Sequence, residues 1–526
     1  MSPRRALFGR ALRDSRTRTL SFAALFVVAA GTQGPTYRSA YPTLAERAEL
    51  ARSFGANEGT RLLYGVPHDL LTTGGWLSWR LGFLPVFAAL WGLFGAVRSL
   101  RTEEESGRQE LVLAGVVGRS AGFLAATGAV AAGAVALWLA IFLAVLPARV
   151  DVGGTAYLAL ALTTPAFVFA GVGAVTSQLA PTRRGALGIG GAVLVAALVM
   201  RMVADTSSTL QWLRWATPLG WTEELRPFVG ARPAVLAPLV MLTALLVLAA
   251  WRIAQRRDVG AGLLPARDSA PPRLVGLSSP SAYAIRGQLG SLLSWLAGAS
   301  LVAVLLGALS GSVSDAISEG LNEQFEKLGT PLNQAQGFLG MEFFFLVVAI
   351  CVLVCLQVAS AREEEAEQRL ETLLSLPVSR RRWLAGRLGV AALAAATIAL
   401  VAGLLAWVGA ASAAVDVSLA EMLEAGANAL PVALLFLGLA ALAYAIAPRA
   451  SSAIALGLVG VSFLWDTIGS LVDVPGWVLG LSPFHHVALV PAEDFQATAA
   501  AIMLALAATA AIAAVHLFER RDLVVT

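Results

Sequence analysis

Long apolar stretches alternate with short charged segments along the whole chain. A transmembrane helix needs about 20 mostly apolar residues, and the pattern predicts twelve such spans. The first span is the most interrupted, because Gly31, Gly34 and Pro35 lie within it. The predicted spans are 19–41, 76–98, 120–147, 154–179, 185–204, 233–254, 293–313, 339–361, 384–411, 426–447, 451–470 and 497–518.

The composition excludes a soluble protein. Hydrophobic residues make up 57% of the 526 residues and charged residues only 14%, whereas charged residues are about 25% of an ordinary soluble domain. Cys351 and Cys355 lie in one apolar run, which is not the pattern of a disulfide framework. We therefore expect an all-α polytopic membrane protein embedded in the lipid bilayer.

The distribution of basic residues predicts the orientation of the chain. Of the 38 Lys and Arg residues, 27 lie on the side of the membrane that holds both termini. The positive-inside rule makes that side cytoplasmic, which predicts a multi-pass protein of the cell membrane. The basic clusters occupy short loops, so they indicate topology rather than nucleic-acid binding. Lys327 is the only lysine, and this preference for arginine is typical of a high-GC bacterium.

The first apolar run has a second interpretation. Six arginines precede Leu20–Ala30, a pattern that also opens a secretory signal peptide. A similar amphipathic lead-in followed by a span recurs at 279–313, in the middle of the chain. We therefore expect the first run to be a span rather than a cleaved leader.

The chain is predicted to be a tandem repeat. When the sequence is shifted along itself by 261 residues, the segment that begins at Arg101 aligns with the segment that begins at Arg362. A shift of 264 residues aligns Arg256, Arg257 and Asp258 with the Arg-Arg-Asp at 520–522. The predicted organisation is two six-helix parallel repeats. Residues 1–258 form the first half, 259–278 a cytoplasmic linker and 279–526 the second half.

Two charged loops, 99–119 and 362–383, follow the second span of each half. Arg and Glu three or four residues apart in them suit solvated helices with internal ion pairs, and a solvated face is the simplest interpretation. However, the same charge pattern recurs in both halves, as expected of two sites that dock one kind of partner. The matching charged positions are Glu103, Glu104, Arg108 and Glu110 in the first loop, and Glu364, Glu365, Arg369 and Glu371 in the second.

The second loop carries a family resemblance. Glu364 to Arg380, which includes Leu-Pro-Val-Ser before the arginine, resembles the loop of ABC type-2 exporter permeases. The first copy departs from that pattern, because Gly-Val-Val-Gly occupies 115–118. The lead-ins at 3–17 and 279–292 are similar to the amphipathic elbow helices of this family. The fused twelve-span form resembles actinobacterial permeases of tetronasin-type and multidrug efflux.

The resemblance implies a function. In this family the loop docks a soluble ATPase subunit, which implies an ATPase-coupling role for the eight charged positions. The chain has no G-x-x-x-x-G-K-[ST] motif, so we expect a transport subunit that is not itself an enzyme. It would bind no cofactor or metal, with ATP and Mg²⁺ held by two copies of the partner. The expected cargo is a hydrophobic small molecule such as an antibiotic or drug.

The alternative is a proton-coupled secondary drug transporter, which can also have twelve spans in two halves. Such a carrier should place carboxylates inside several spans. Within the predicted spans and at their edges, only Asp466, Glu342 and Asp205 are candidates. This scarcity favours the ATP-driven exporter.

One further pair of charges is a candidate gate. In the repeat, Arg201 aligns with Asp466, near the outer ends of spans five and eleven. Equivalent residues meet only near the axis that relates the two halves, and a charge inside a span needs a partner. The local alternative is that Asp205, four residues after Arg201, satisfies the arginine on its own helix.

Overall fold

The computed structural model describes residues 3–56, 61, 64–105, 107, 118–206, 209–258, 260–264, 276–314, 335–471 and 475–522. Within these ranges the regular secondary structure is entirely helical. The chain divides into two compact units, Met1–Pro271 (unit 1) and Pro272–Thr526 (unit 2).

Unit 1 contains ten α-helices of seven or more residues in its described part, and local sequence sets several of their starts. The Thr72, Asp151 and Thr217 side chains accept a backbone N–H of the first turn that follows them. The helices are α1 Pro3–Gly31, α2 Gln33–Ala40, α3 Leu44–Ala56, α4 Thr73–Arg80, α5 Leu84–Val97, α6 Arg119–Val145, α7 Val152–Leu179, α8 Arg183–Thr206, α9 Pro218–Glu224 and α10 Leu236–Arg256.

The end of α5 is unusual. The helix continues through a π-helical turn, Arg98–Thr102, into Glu103–Glu105. A π turn inserts one residue into a helix and is common at functional sites. This turn lies where the chain passes from the apolar helix α5 into the first charged loop.

Unit 2 contains nine α-helices in its described residues. Ser379 and Ser418 cap two of them, and Ser418 forms a reciprocal capping box with Glu421. The helices are α11 Pro280–Ser314, α12 Ala335–Ala366, α13 Arg369–Leu374, α14 Arg380–Ser412, α15 Leu419–Ala427, α16 Ala429–Ile446, α17 Ser451–Leu471, α18 Gly476–Leu479 and α19 Ala497–Arg520.

The same helix pairings occur inside each unit. In unit 1, α1 packs along α6, α5 along α7, and α7 against α10. In unit 2, α11 packs along α14, α12 against α16, and α16 along α19. Small residues permit the closest approaches, because a Cβ at Gly92 would overlap the carbonyl oxygen of Ala166, and one at Gly307 that of Ala406.

Ten of the twelve predicted spans have a matching helix. Among the described residues, nine helices are long and apolar enough to cross a membrane, and the bent pair Thr73–Arg80 and Leu84–Glu105 makes a tenth if it is one span. The other two predicted spans fall short. The apolar part of α1 ends where the helix breaks at Gly31, and the apolar part of α17, Ser451–Asp466, is shorter than a span needs.

Candidate functional site

In unit 1, a buried carboxylate joins the end of the α5 extension to the end of α10. Arg257 Nη2 donates to both carboxylate oxygens of Glu104, at 2.5 and 2.7 Å. Arg101 Nη1 donates to Glu104 Oε2 at 2.7 Å. All three side chains are nearly inaccessible, with exposed fractions of 7% for Glu104, 5% for Arg257 and 1% for Arg101. Glu104 therefore holds a structural link and does not face solvent.

The two arginines also fix the segment that follows α10. Arg101 Nη2 donates to the Gly260 carbonyl at 2.6 Å, and Arg257 Nη1 to the Ala261 carbonyl at 2.5 Å. Arg257 Nε donates to Gln178 Oε1 at 2.7 Å. These bonds satisfy donors that would be expensive to bury alone. They tie the ends of three helices into one cluster.

Unit 2 builds the corresponding link at Glu365. Arg521 Nη2 donates to its two carboxylate oxygens at 2.7 and 2.6 Å. The Tyr444 hydroxyl donates to Glu365 Oε2 at 2.6 Å. The Arg521 guanidinium lies 5.0 Å from the Tyr444 ring centre and 5.2 Å from that of Phe518, within the range of a cation–π contact. Trp383 and Tyr444 both stack on Phe518, at 5.5 Å each.

The two links use aligned residues of the predicted repeat. Glu104 aligns with Glu365, and Arg257 aligns with Arg521. In each unit the glutamate is the penultimate residue of its helical segment, and the arginine directly follows the last long helix. We call these two contacts the Glu–Arg links.

The remaining residues predicted for coupling differ in exposure. Glu103 accepts from Arg10 Nη2 at 3.3 Å, and Glu364 is largely buried beside Arg387. Arg369 and Glu371 are exposed, and Arg369 makes an ion pair with the equally exposed Glu367. Arg108 and Glu110 lie outside the described residues.

The short helix α13 presents the exposed pair. The chain turns sharply at Gln368, whose φ of +60° is in the left-handed region, and then enters α13. Leu370 is fully buried in the apolar core of unit 2, whereas its neighbours Arg369 and Glu371 are exposed to solvent. Leu373 and Leu374 also pack against this core, so α13 is anchored by its leucines and leaves the charges of Arg369 and Glu371 on the surface.

The candidate gate residues each have partners within their own unit. Arg201 donates to Glu223 Oε1 from Nη2 at 2.8 Å and pairs with Asp205 at 3.4 Å. Asp466 lies 3.2 Å from His485 Nδ1. The local ion pair considered for Arg201 is therefore present, and a contact between Arg201 and Asp466 stays a prediction.

A larger charged network surrounds Arg201, and sequence reasoning missed it. Arg214 Nη2 donates to Asp205 Oδ1 at 2.8 Å and its Nη1 to Glu224 Oε1 at 3.2 Å. Burial raises the pKa of Glu223 to about 8, although Arg201 opposes the shift. The signal in the sequence was the density of opposite charges between 205 and 232, in a segment predicted to lie outside the membrane.

Comparison with known proteins decides the family. The family model for "Multidrug efflux system permease Rv1217c, C-terminal domain" matches residues 5–253 and 277–519. The chain belongs to this permease family. The multidrug efflux system permease protein Rv1217c of Mycobacterium tuberculosis is 31% identical over 492 residues, which cover 92% of this chain and 88% of the relative. Each matched segment contains the glutamate of a Glu–Arg link but not its arginine, because the arginines at 257 and 521 lie just beyond the matched residues.

Proposed function

We propose that this permease is the membrane subunit of an ATP-driven exporter of hydrophobic compounds such as antibiotics or drugs. Its energy comes from two copies of a separate ATPase subunit, which dock on the 99–119 and 362–383 loops. Family membership supports the export of drugs, since the relative is named as the permease of a multidrug efflux system. The absence of a P-loop from the sequence supports a separate ATPase.

The observation that carries the ATP-driven mechanism is the pair of Glu–Arg links. Each link fixes the start of a charged loop to the end of the last long helix of its unit. A push on the loop is therefore transmitted both to the helix that precedes the loop and to the last long helix of the same unit. Glu104 and Glu365 act as positioning residues. In unit 2, the exposed Arg369 and Glu371 contact the separate ATPase subunit.

The proposed topology has twelve spans as two parallel repeats, each with an amphipathic elbow helix at its start. Ten spans are the apolar helices and the bent pair. α1 would supply an elbow and a short first span, and α17 the eleventh. The repeated helix pairings within the two units support the duplication. Both termini, both charged loops and the linker would then be cytoplasmic.

The test is reconstitution of the full chain with a P-loop ATPase encoded beside it. We expect drug transport into inverted vesicles only when both ATP and the ATPase are present. Native mass spectrometry should show two ATPase subunits for each permease chain. Transport by the chain alone, driven by an imposed proton gradient, would favour the secondary carrier instead.

A further inference from the structure

Unit 1 contains a partly open cavity of about 350 Å³ that none of the functions above uses. It lies between the first half of α1, the end of α5 with its extension, the start of α6 and the end of α10. Its size is at the lower end of the range of small-molecule sites, about 300–1,000 Å³. Glu104 and Arg257 contribute to its wall, so an occupant would touch the unit 1 Glu–Arg link.

The acidic residues around this cavity are mostly neutralised. Asp14 and Glu103 pair with Arg10, at 3.6 and 3.3 Å. Glu104 belongs to the Glu–Arg link, and the fourth acidic residue, Asp258, is exposed. The remaining cations of the wall are Arg18 and Arg98. Within the described residues, neither of them contacts a carboxylate.

Arg18 is the informative residue. Its Nε and Nη2 atoms are buried and have no hydrogen-bond acceptor within the described part of the chain. Its guanidinium lies 5.6 Å from the ring centre of Trp91, and Nη2 fits against Gly95, where a Cβ would come within 3.1 Å. The aromatic face compensates only part of the desolvation of a guanidinium. An anion in the cavity would compensate the charge of this guanidinium.

Another part of the cavity wall is apolar. Leu7, Leu100 and Phe123 line it, together with alanines of α6. The wall therefore combines one apolar surface with a cationic end formed by Arg18 and the exposed Arg98. Phosphate and carboxylate are the groups that a guanidinium binds best, because its planar donors match their oxygens.

We propose that this cavity binds an amphiphile that carries a phosphate or carboxylate group, with the anion at Arg18 and the apolar body against Phe123. The topology proposed above places it at the cytoplasmic side of the membrane. Two sources offer this chemistry, namely an anionic phospholipid and an anionic amphiphile dissolved in the inner leaflet. The site is independent of what energises transport, and its test needs neither ATP nor an ATPase.

The test measures binding of a pyrene-labelled fatty acid to the full-length permease in nanodiscs of phosphatidylcholine, with the methyl ester of the same probe in parallel. We expect the acid to bind at least about tenfold more tightly than the ester, because only the ionised acid offers a charge-assisted hydrogen bond to the guanidinium. Arg18→Gln should remove this preference, and Arg18→Lys should retain part of it. Arg16→Gln, an exposed arginine on the same helix, should leave it unchanged.

A second variant tests the cavity itself. Gly122 lines the cavity, and a Cβ there would meet open space, so Gly122→Phe should fill the site without distorting the helix. It should weaken both probes, whereas Gly188→Phe, at an equally open glycine of α8 outside the cavity, should weaken neither. Equal affinity of acid and ester, or equal behaviour of Arg18→Gln and Arg16→Gln, would overturn the proposal.

The two sources are separated by adding phosphatidylglycerol to the nanodiscs. Displacement of the fatty acid by phosphatidylglycerol, but not by more phosphatidylcholine, would identify a membrane phospholipid as an occupant. Retention of the Arg18-dependent probe in phosphatidylglycerol nanodiscs would identify a free amphiphile. Both results support the anion site.

Discussion

Glu365 accepts hydrogen bonds on both carboxylate oxygens from a single nitrogen of Arg521, at 2.7 and 2.6 Å. The pair is largely buried, with exposed fractions of 4% for Glu365 and 14% for Arg521. Removing one partner of a buried ion pair leaves an uncompensated charge and costs about 3–5 kcal/mol. This contact therefore stabilises unit 2 as well as orienting its charged loop.

The first prediction concerns this link. Glu365→Ala and Glu104→Ala should each lower the thermal unfolding midpoint of the detergent-solubilised permease and reduce export, because each strands a buried arginine. Glu363→Ala, at an exposed carboxylate beside Glu365, should change neither. Normal export by a Glu365→Ala protein that unfolds earlier would limit the link to a structural role.

The second prediction concerns the partner surface. Reversing both exposed charges, Arg369→Glu with Glu371→Arg, should reduce the amount of ATPase that copurifies while the unfolding midpoint stays the same. Surface charges contribute little to stability but affect partner association. The matched control is Glu424→Arg, another exposed charge reversal, on α15. Unchanged copurification would place the ATPase contact elsewhere.

Much of the fold follows from hydropathy, because ten apolar segments long enough to span a membrane became helices or the bent pair. The burial of Glu104 does not follow from it. The segment around Glu104 is as charged as a solvated helix, and its partner Arg257 lies 153 residues away in sequence. A contact over that distance depends on how the helices pack, and no local pattern encodes it. The 205–232 network is different, because Arg214 pairs with Asp205 and Glu224 only nine and ten residues away in sequence, and the density of opposite charges there is a local signal.

The third prediction concerns pH. The pKa of Glu223 is raised to about 8, chiefly by burial. A carboxyl in the unfolded chain titrates near 4.3, so the native state binds more protons between those values. Stability from Glu223 is therefore present at low pH and lost as the pH rises through about 8.

The measurement is the unfolding midpoint of the permease between about pH 4 and pH 9, a range that brackets both pKa values. Glu223→Gln should flatten the decline, since glutamine does not titrate. Glu424→Gln, at an exposed carboxyl, should follow the unaltered protein. Identical pH profiles for Glu223→Gln and the unaltered permease would contradict the assignment.

The fourth prediction addresses the candidate gate. A contact between Arg201 and Asp466 predicts that Arg201→Asp and Asp466→Arg each impair export and that the double swap restores much of it. The local partners Asp205, Glu223 and His485 predict no recovery. Arg201→Asp then places a third carboxyl group beside Asp205 and Glu223, and Asp466→Arg removes the acceptor of His485, whether the changes are made singly or together. A double variant no better than the worse single one would reject the gate pair.

The fifth prediction concerns topology. Cysteines placed at Thr17, Ser269 and Thr526 should resist an impermeant thiol reagent in intact cells, whereas cysteines at Thr60 and Ser318 should react. Thr17 is exposed, while the nearby Ser15 is buried and would be unreactive on either side. The native Cys351 and Cys355 are buried and should give little background. Reaction at Ser269 from outside would exclude the six-plus-six arrangement.

The Glu–Arg links also bear on how the chain can be divided. They close loops of 153 and 156 residues, and each closes wholly within its own unit. A backbone cut in the 265–270 stretch would therefore break neither closure and would leave both buried ion pairs intact. Two separately translated half-permeases, each locked by its own ion pair, should consequently fold and be able to reconstitute export when produced together.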